Sequence, residues 1–455
     1  MNTCKLLLTI TLTATLAHAA TAQAKKGATA EGPNVAAEKT AATPAAFDRK
    51  RFDEMRKEGF DALYNLDYDG ARRHFSEMTR VFPDHPAGYQ FLAAGLWLRT
   101  LNESRRLQAS LYNNEGFYKE DKNDNGDTKA AAEFKELTRK TKEVCETRLK
   151  ADPKDIDALY YLGASEGLKA AWGSMVERSF MSALKNGNDS VDHHRDLLKI
   201  DPTYTDAKVT VGMYDYVVGA LPLPVKILAS IGGFRGSKKR GLATLEDVAR
   251  NGTWAKDDAK SLLIALLKRE GRFRDAYTYA NELATKYPRN YLFKMEAADA
   301  LVSQAEVERA SNPEAAKKTE SEAFAVFDAL LAPARGPAAP HPPLDLVHYN
   351  YGEALLVAGQ PERAAKELLA SAAVPNAESS MVPRARLRAA QALDVAGKRE
   401  EALTQYKAVL ALPNVFDSHE DAKRGLKEPY TLTHKVGENA SGDEAASGAK
   451  GEQAQ

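Results

Sequence analysis

The sequence predicts an all-α protein, a solenoid of helix-turn-helix repeats, and three observations carry that prediction. Every strong hydrophobic periodicity in the 455 residues is helical, with apolar side chains three or four positions apart. Helices recur in pairs joined by a short turn and closed by a proline, a unit of about 34 residues. Small residues and alanines recur at a fixed twelve-residue step, as Gly59 and Ala71, Gly352 and Ala364, and Ala390 and Ala402.

Taken in chain order, the first element is an address. Lys5 precedes an apolar run from Leu6 to Ala17, and the small-residue steps Ala17-His18-Ala19 and Ala22-Gln23-Ala24 follow. This is the plan of a secretory signal peptide over residues 1–24, and the run is too short to span a bilayer. The expectation is an exported chain, periplasmic or secreted, with no transmembrane segment once the leader is removed. Cys4 lies ahead of the apolar run, so trimming leaves Cys145 alone, without an internal disulfide. Residues 25–46 are small, polar and alanine-rich, the composition of a flexible linker. Residues 431–455 end in "VGENASGDEAASGAKGEQAQ" and read as a disordered tail.

Charge narrows the partner. With 63 basic and 63 acidic residues, the chain lacks the basic excess of a dedicated nucleic-acid or membrane-surface binder. A protein or peptide partner is expected, and no nucleic acid.

The repeat is clearest near the start. Phe52, Met55, Gly59 and Leu63 keep a helical period, "LDYDG" interrupts it, Ala71, Phe75 and Met78 resume it, and Pro83 stops it. Small residues at Gly59 and Ala71 let the paired helices approach, and Phe75 fills the space between hairpins. Later units bring Pro153 with Leu162 and Gly163, Pro202 with Gly212, and Gly271 with Ala276 and Pro288. The last two carry Gly352, Gly359 and Ala364, then Ala390, Gly397, Ala402, Tyr406 and Pro413. The pattern resembles the tetratricopeptide repeat, which sets a small residue, an alanine, an aromatic and a proline at those places. It departs from that family around 101–145, 173–195, 214–255 and 303–345.

The resemblance implies a right-handed solenoid, with an N-terminal block at 47–213, an irregular central helical segment at 214–255 and a C-terminal block at 256–430. It also implies a concave groove lined by the first helix of each unit. Mapped onto this chain, the groove residues are Arg56, Phe60, Tyr64, Gln90, Trp97, Tyr160, Leu168, Tyr349 and Glu353. The family's paired lysines and asparagines for clamping a peptide carboxylate are not evident.

The central stretch "YDYVVGALPLPVKILASIGGFRGSKKRG" invites other readings. Pro222, Pro224 and Lys226 argue against a membrane span, because prolines remove backbone donors and a lysine is costly in lipid. Its glycines fit neither the phosphate-loop spacing nor the dinucleotide fingerprint. It looks like the centre of bacterial exported tetratricopeptide proteins and is similar to the eukaryotic tetratricopeptide family that includes the inclusion-body clearance protein. The expectation is an internal wedge, with Leu221, Leu223, Val225, Ile227 and Leu228 buried. The alternative is a small-ligand-binding or enzymatic protein with a cleft at 214–245.

Three stretches carry parts of catalytic or metal motifs. "GASEG" at 163–167 has the nucleophile-elbow string around Ser165, but inside a helical period instead of a strand-to-helix turn. "DKNDNGD", Asp121 to Asp127, resembles half of a calcium loop, with Ala132 where the bidentate acid belongs. His193 and His194 are adjacent and diverge on a helix, and Asp189 with His193 gives only two ligands. No catalytic, cofactor or metal residue is expected, and the chain reads as a non-catalytic binding scaffold.

Overall fold

The computed structural model describes residues 47–107, 128–221, 226–227, 230, 234–333 and 342–432. The leader and linker, the Asp121–Asp127 motif, wedge residues Leu223, Val225 and Leu228, and the tail from residue 433 lie outside the described residues.

Seventeen α-helices and one 3₁₀ turn, with no strand, make up the described residues. The first seven are α1 (Arg49–Tyr64), α2 (Tyr68–Val81), α3 (Ala87–Glu103), α4 (Thr128–Ala151), α5 (Ile156–Met175), α6 (Phe180–Ile200) and α7 (Lys208–Gly219). After the central connection come α8 (Lys238–Asn251), α9 (Lys256–Arg269), α10 (Phe273–Lys286), α11 (Tyr291–Glu308) and α12 (Pro313–Leu331). The last are α13 (Leu344–Val357), α14 (Pro361–Ala373), α15 (Met381–Val395), α16 (Arg399–Leu410) and α17 (Ser418–Lys427). Each helix packs on the next along the chain, and α3 with α5, α11 with α13 and α13 with α15 add the second-neighbour contacts of stacked hairpins. The fold is a right-handed solenoid of tetratricopeptide type.

Local sequence explains where the helices begin and turn. Asp48, Asp67 and Asp155 accept from backbone N–H groups of Arg51, Gly70 and Ala158 at 3.0, 2.8 and 2.9 Å, meeting donors the first turn leaves unpaired. Gly271, Gly359 and Gly397 stand five residues before Ala276, Ala364 and Ala402 and take φ near +72°, the left-handed cap that reverses the chain. In the first hairpin that place is held by Leu66, also at positive φ, and its side chain packs against the core of the C-terminal block.

The repeat glycines mark where helices cross closely. A Cβ on Gly59 would clash with the edge of the Phe75 ring, and one on Gly352 would stand 2.5 Å from Leu368. Ala71, Ala276, Ala364 and Ala402 are all buried at those crossings. Around them run apolar clusters, one under the first hairpins with Phe52, Phe75 and Phe91, and the largest through α11–α17.

The solenoid also touches itself. Tyr64, at the end of α1, donates its hydroxyl to Asp258 and stacks on Tyr287, ring centroids 4.9 Å apart. Asn290 donates to the Tyr64 carbonyl at 2.7 Å, and Tyr291 donates to Asn102 at 2.8 Å. Arg105 pairs with buried Asp345 at 3.3 Å. These ties form a seam that brings α1 and α3 against the helices from α9 to α13.

One expectation about the centre needs correction. Ile227, expected inside the wedge, is 53% exposed. Lys226 beside it donates its Nζ to the Gly219 carbonyl at 3.2 Å, and no described helix covers the Ile227 side chain. The helices on either side of the connection lie where the sequence puts them, α7 ending at Gly219 and α8 beginning at Lys238, and the two form a hairpin. A Cβ on Gly241 would meet the Gly212 carbonyl at 2.6 Å, so that crossing requires glycine at 241.

Candidate partner-binding face

The nine groove residues fall on α1, α3, α5 and α13, the first helices of their hairpins, but most are engaged within the chain. On α1, Arg56 is buried, with its guanidinium 4.2 Å from the Trp254 ring centroid and 5.3 Å from that of Phe91. Phe60 is half-buried and meets the Phe75 and Phe91 rings edge-on at 5.3 and 4.8 Å. Tyr64 lies one turn further on, in the seam, where burial first and the Asp258 charge next push its hydroxyl well above the usual range.

On α3, Gln90 and Trp97 are half-buried, and Trp97 packs against the cluster that also holds Leu168 of α5. Tyr160, on α5, stands among the rings of Tyr161, His194 and Tyr204 at 5.1–5.4 Å. Tyr349 and Glu353 sit one turn apart on α13. Tyr349 is buried under the Arg384 guanidinium at 5.0 Å, and Glu353 pairs with Arg388 at 2.6 Å. The structure thus gathers Arg56, Phe60 and Tyr64 in one row and Trp97 with Leu168 in a second cluster. Tyr349 and Glu353 belong to a separate part of the solenoid, joined to α3 through the Arg105–Asp345 pair one turn earlier.

Two polar atoms on this face lack a partner. The Arg56 Nε and the Trp97 Nε1 are both buried donors with no acceptor among the described residues. Buried donors are almost always paired, so two on adjacent first helices are unusual.

Trp254, Asp206, Asp258 and Tyr287 were missed by the sequence reading. Asp206 accepts from the backbone N–H groups of Thr253, Trp254 and Ala255 at 2.8, 3.0 and 3.2 Å. That carboxylate fixes the α8–α9 turn and so aims Trp254 at Arg56. No local pattern signals these residues, because the contacts that bring them to this face are long-range, from Asp206 to Thr253 across 47 positions and from Tyr64 to Asp258 across 194.

The chemical motifs resolve into packing. Ser165 is buried inside α5, where it has no strand-to-helix turn to expose it. His194 is buried on α6, its Nε2 donating to the Tyr160 carbonyl at 3.0 Å, and Gly163 leaves room for its ring. Burial holds the imidazole down at about 4. Among the described residues no group of three His, Cys, Asp or Glu side chains is placed to hold a metal ion, and no helix is long and apolar enough to cross a membrane. Two open clefts of 520 and 680 Å³ lie on α2 and along the seam beside Asn65 and Arg289, and neither includes a residue of 214–245.

This geometry defines the class: a helical-repeat solenoid whose first helices carry an aromatic and cationic row. No protein-family model matches the chain, and no curated protein matches it. Among solved structures it is similar to the human IFIT1 dimer with PPP-AAAA, at 13% identity and a TM-score of 0.41, over 83% of this chain and 77% of that one. The human IFIT1 dimer with m7Gppp-AAAA matches at 11% identity and 0.43, over 84% and 86%. Yeast Tom70 matches at 13% identity and 0.33, over 83% and 95%. Likeness this distant does not speak to what the chain binds.

Proposed function

We propose that the chain is a non-catalytic, exported tetratricopeptide-type scaffold of a bacterial cell envelope that binds a protein or peptide on the inner helices of its first repeats. The address rests on the leader-like N-terminus. The binding reading rests chiefly on the orphaned donors of Arg56 and Trp97. A polypeptide supplies the matching acceptors as backbone carbonyls or carboxylates, and the half-buried Phe60, Gln90 and Tyr160 give apolar and polar contact beside them. Satisfying a buried donor is worth about 1–3 kcal/mol, enough for two such bonds to select a partner.

The test is affinity capture from the envelope fraction with quantitative mass spectrometry, comparing wild type with Trp97→Phe and Arg56→Gln, and with Lys407→Gln as an outer-face control. Trp97→Phe keeps the ring packing and removes only the donor. Loss of the same partner from both inner-face variants, and its retention by the control, supports the reading. Equal recovery by all four proteins overturns it, as does intact leader sequence in a cytosolic protein.

A further inference from the structure

We propose that Arg56 is the seat for an acidic side chain, an aspartate or glutamate of the polypeptide partner; the inference rests on the reading that the inner helices bind a polypeptide. Arg56 is 5% exposed, yet it pairs with no carboxylate among the described residues, and its Nε has no acceptor there. Two rings hold the guanidinium instead, Phe91 of α3 with its centroid at 5.3 Å and Trp254 of the α8–α9 turn at 4.2 Å. The rings fix the guanidinium and leave its donor edge without an oxygen. A buried cation is ordinarily matched by an anion, because its charge has lost the water that solvated it. Elsewhere on the inner helices Arg388 has such a match, Glu353 at 2.6 Å. Arg56 has none.

Charge and spacing define the anion. A carbonyl would satisfy a donor and leave the charge; a carboxylate meets both, and it matches a guanidinium with two parallel bonds. Acidic neighbours limit the ligand to a single negative charge. Asp53 stands one turn earlier on α1, Asp206 holds the Trp254 N–H at 3.0 Å, and Asp258 follows four positions after Trp254. A phosphorylated or nucleic-acid ligand would bring further negative charge against those three. Asp53 also supplies the complement of the unmet donor. Its Oδ1 is a buried acceptor with no donor among the described residues, on the face of α1 that carries Arg56 three positions later. An extended peptide offers both groups at that spacing, a side-chain carboxylate for Arg56 and a backbone N–H for Asp53. Trp254 is 37% exposed, so an apolar residue beside the acid packs on its open face.

A combinatorial array of N-acetylated octapeptides tethered through their C-termini tests the proposal with the full-length protein. The blocked ends leave side chains as the only carboxylates. The tightest binders should carry an Asp or Glu beside an apolar residue. Exchanging that acid for its amide should weaken binding about thirtyfold, the loss when one partner of a buried charge pair is removed. This comparison changes the peptide alone, so folding of the protein does not enter it. Arg56→Gln should bind the acid and amide peptides equally, and Arg56→Lys, which keeps the charge, should still prefer the acid. Tight binders without an acidic residue, or an Arg56→Gln protein that keeps the preference, overturn the inference. If Trp97→Phe still loses those peptides, the peptide-binding reading stands without it. Binding of no peptide at all overturns both.

Discussion

The Tyr64 hydroxyl donates to the Asp258 carboxylate across 194 positions of sequence, and the Tyr64 ring stacks on Tyr287 at 4.9 Å in the same place. A solenoid needs only contacts between neighbours, so a tie of this reach is a property of the seam and not of the repeat. It closes the first hairpin onto α9–α11 and sets the distance between the Arg56 row and the rest of the inner surface.

Tyr64→Phe removes that hydrogen bond and keeps the ring stack. It should cost about 1 kcal/mol, since the bond is to a charged group but remains in reach of water. Tyr64→Ala removes both and should cost more, with faster amide exchange at the end of α1 and in the turn before α11. Hydrogen exchange by mass spectrometry checks this, and unchanged exchange in both variants would mean the seam does not hold the hairpin.

The repeat register makes a separate prediction. Ala71 and Ala402 are buried at helix crossings, so a leucine at either should overpack and cost about 1–3 kcal/mol. Gly59→Ala should do the same, because its new methyl falls on the Phe75 ring, and Phe75→Leu should restore part of the loss in the double variant. Thermal melts of the single and double variants measure it.

How much of this was legible in the sequence follows from which contacts are local. The twelve-residue step located the buried crossings at Ala71, Ala364 and Ala402, because a hairpin's own geometry demands small residues there. Gly271, Gly359 and Gly397 are legible for a related reason: only glycine takes that left-handed turn freely. Leu66 breaks the rule in the first hairpin and was not legible, since its reason is a contact with the distant C-terminal core. The mapped residues lie on α1, α3, α5 and α13, the first helices of their hairpins. The mapping did not foresee that Tyr64, Tyr349 and Glu353 would be engaged by Asp258, Arg384 and Arg388. Ile227 was misjudged because a short apolar run directly after Pro222 and Pro224 gives too little periodicity to say which side faces inward.

Acid should destabilise the fold through His194. Burial holds this imidazole down at about 4, against an ordinary value of about 6.5, so the unfolded chain takes up the proton first. The folded state loses stability as pH falls from 6.5 towards 4, by about 3 kcal/mol at the lower end. His194→Gln, whose amide can still donate to the Tyr160 carbonyl, should be less stable at pH 7 but should lose little further between pH 6.5 and 4. Urea titrations at several pH values distinguish the two profiles, and a parallel pH dependence in wild type and variant would exclude His194 as the source.

The central claim is that the inner helices of the first repeats are held in a closed arrangement by the seam. Spin labels at Glu58 and Arg289, exposed residues lining the same seam cleft from the two sides, report on it directly by double electron–electron resonance. The free Cys145 is buried, with its thiol pushed up to about 12, so it should escape labelling. A closed seam predicts one narrow distance distribution at the short end of the measurable range, broadened in Tyr64→Ala. A broad or long distribution in the wild-type background would contradict the account.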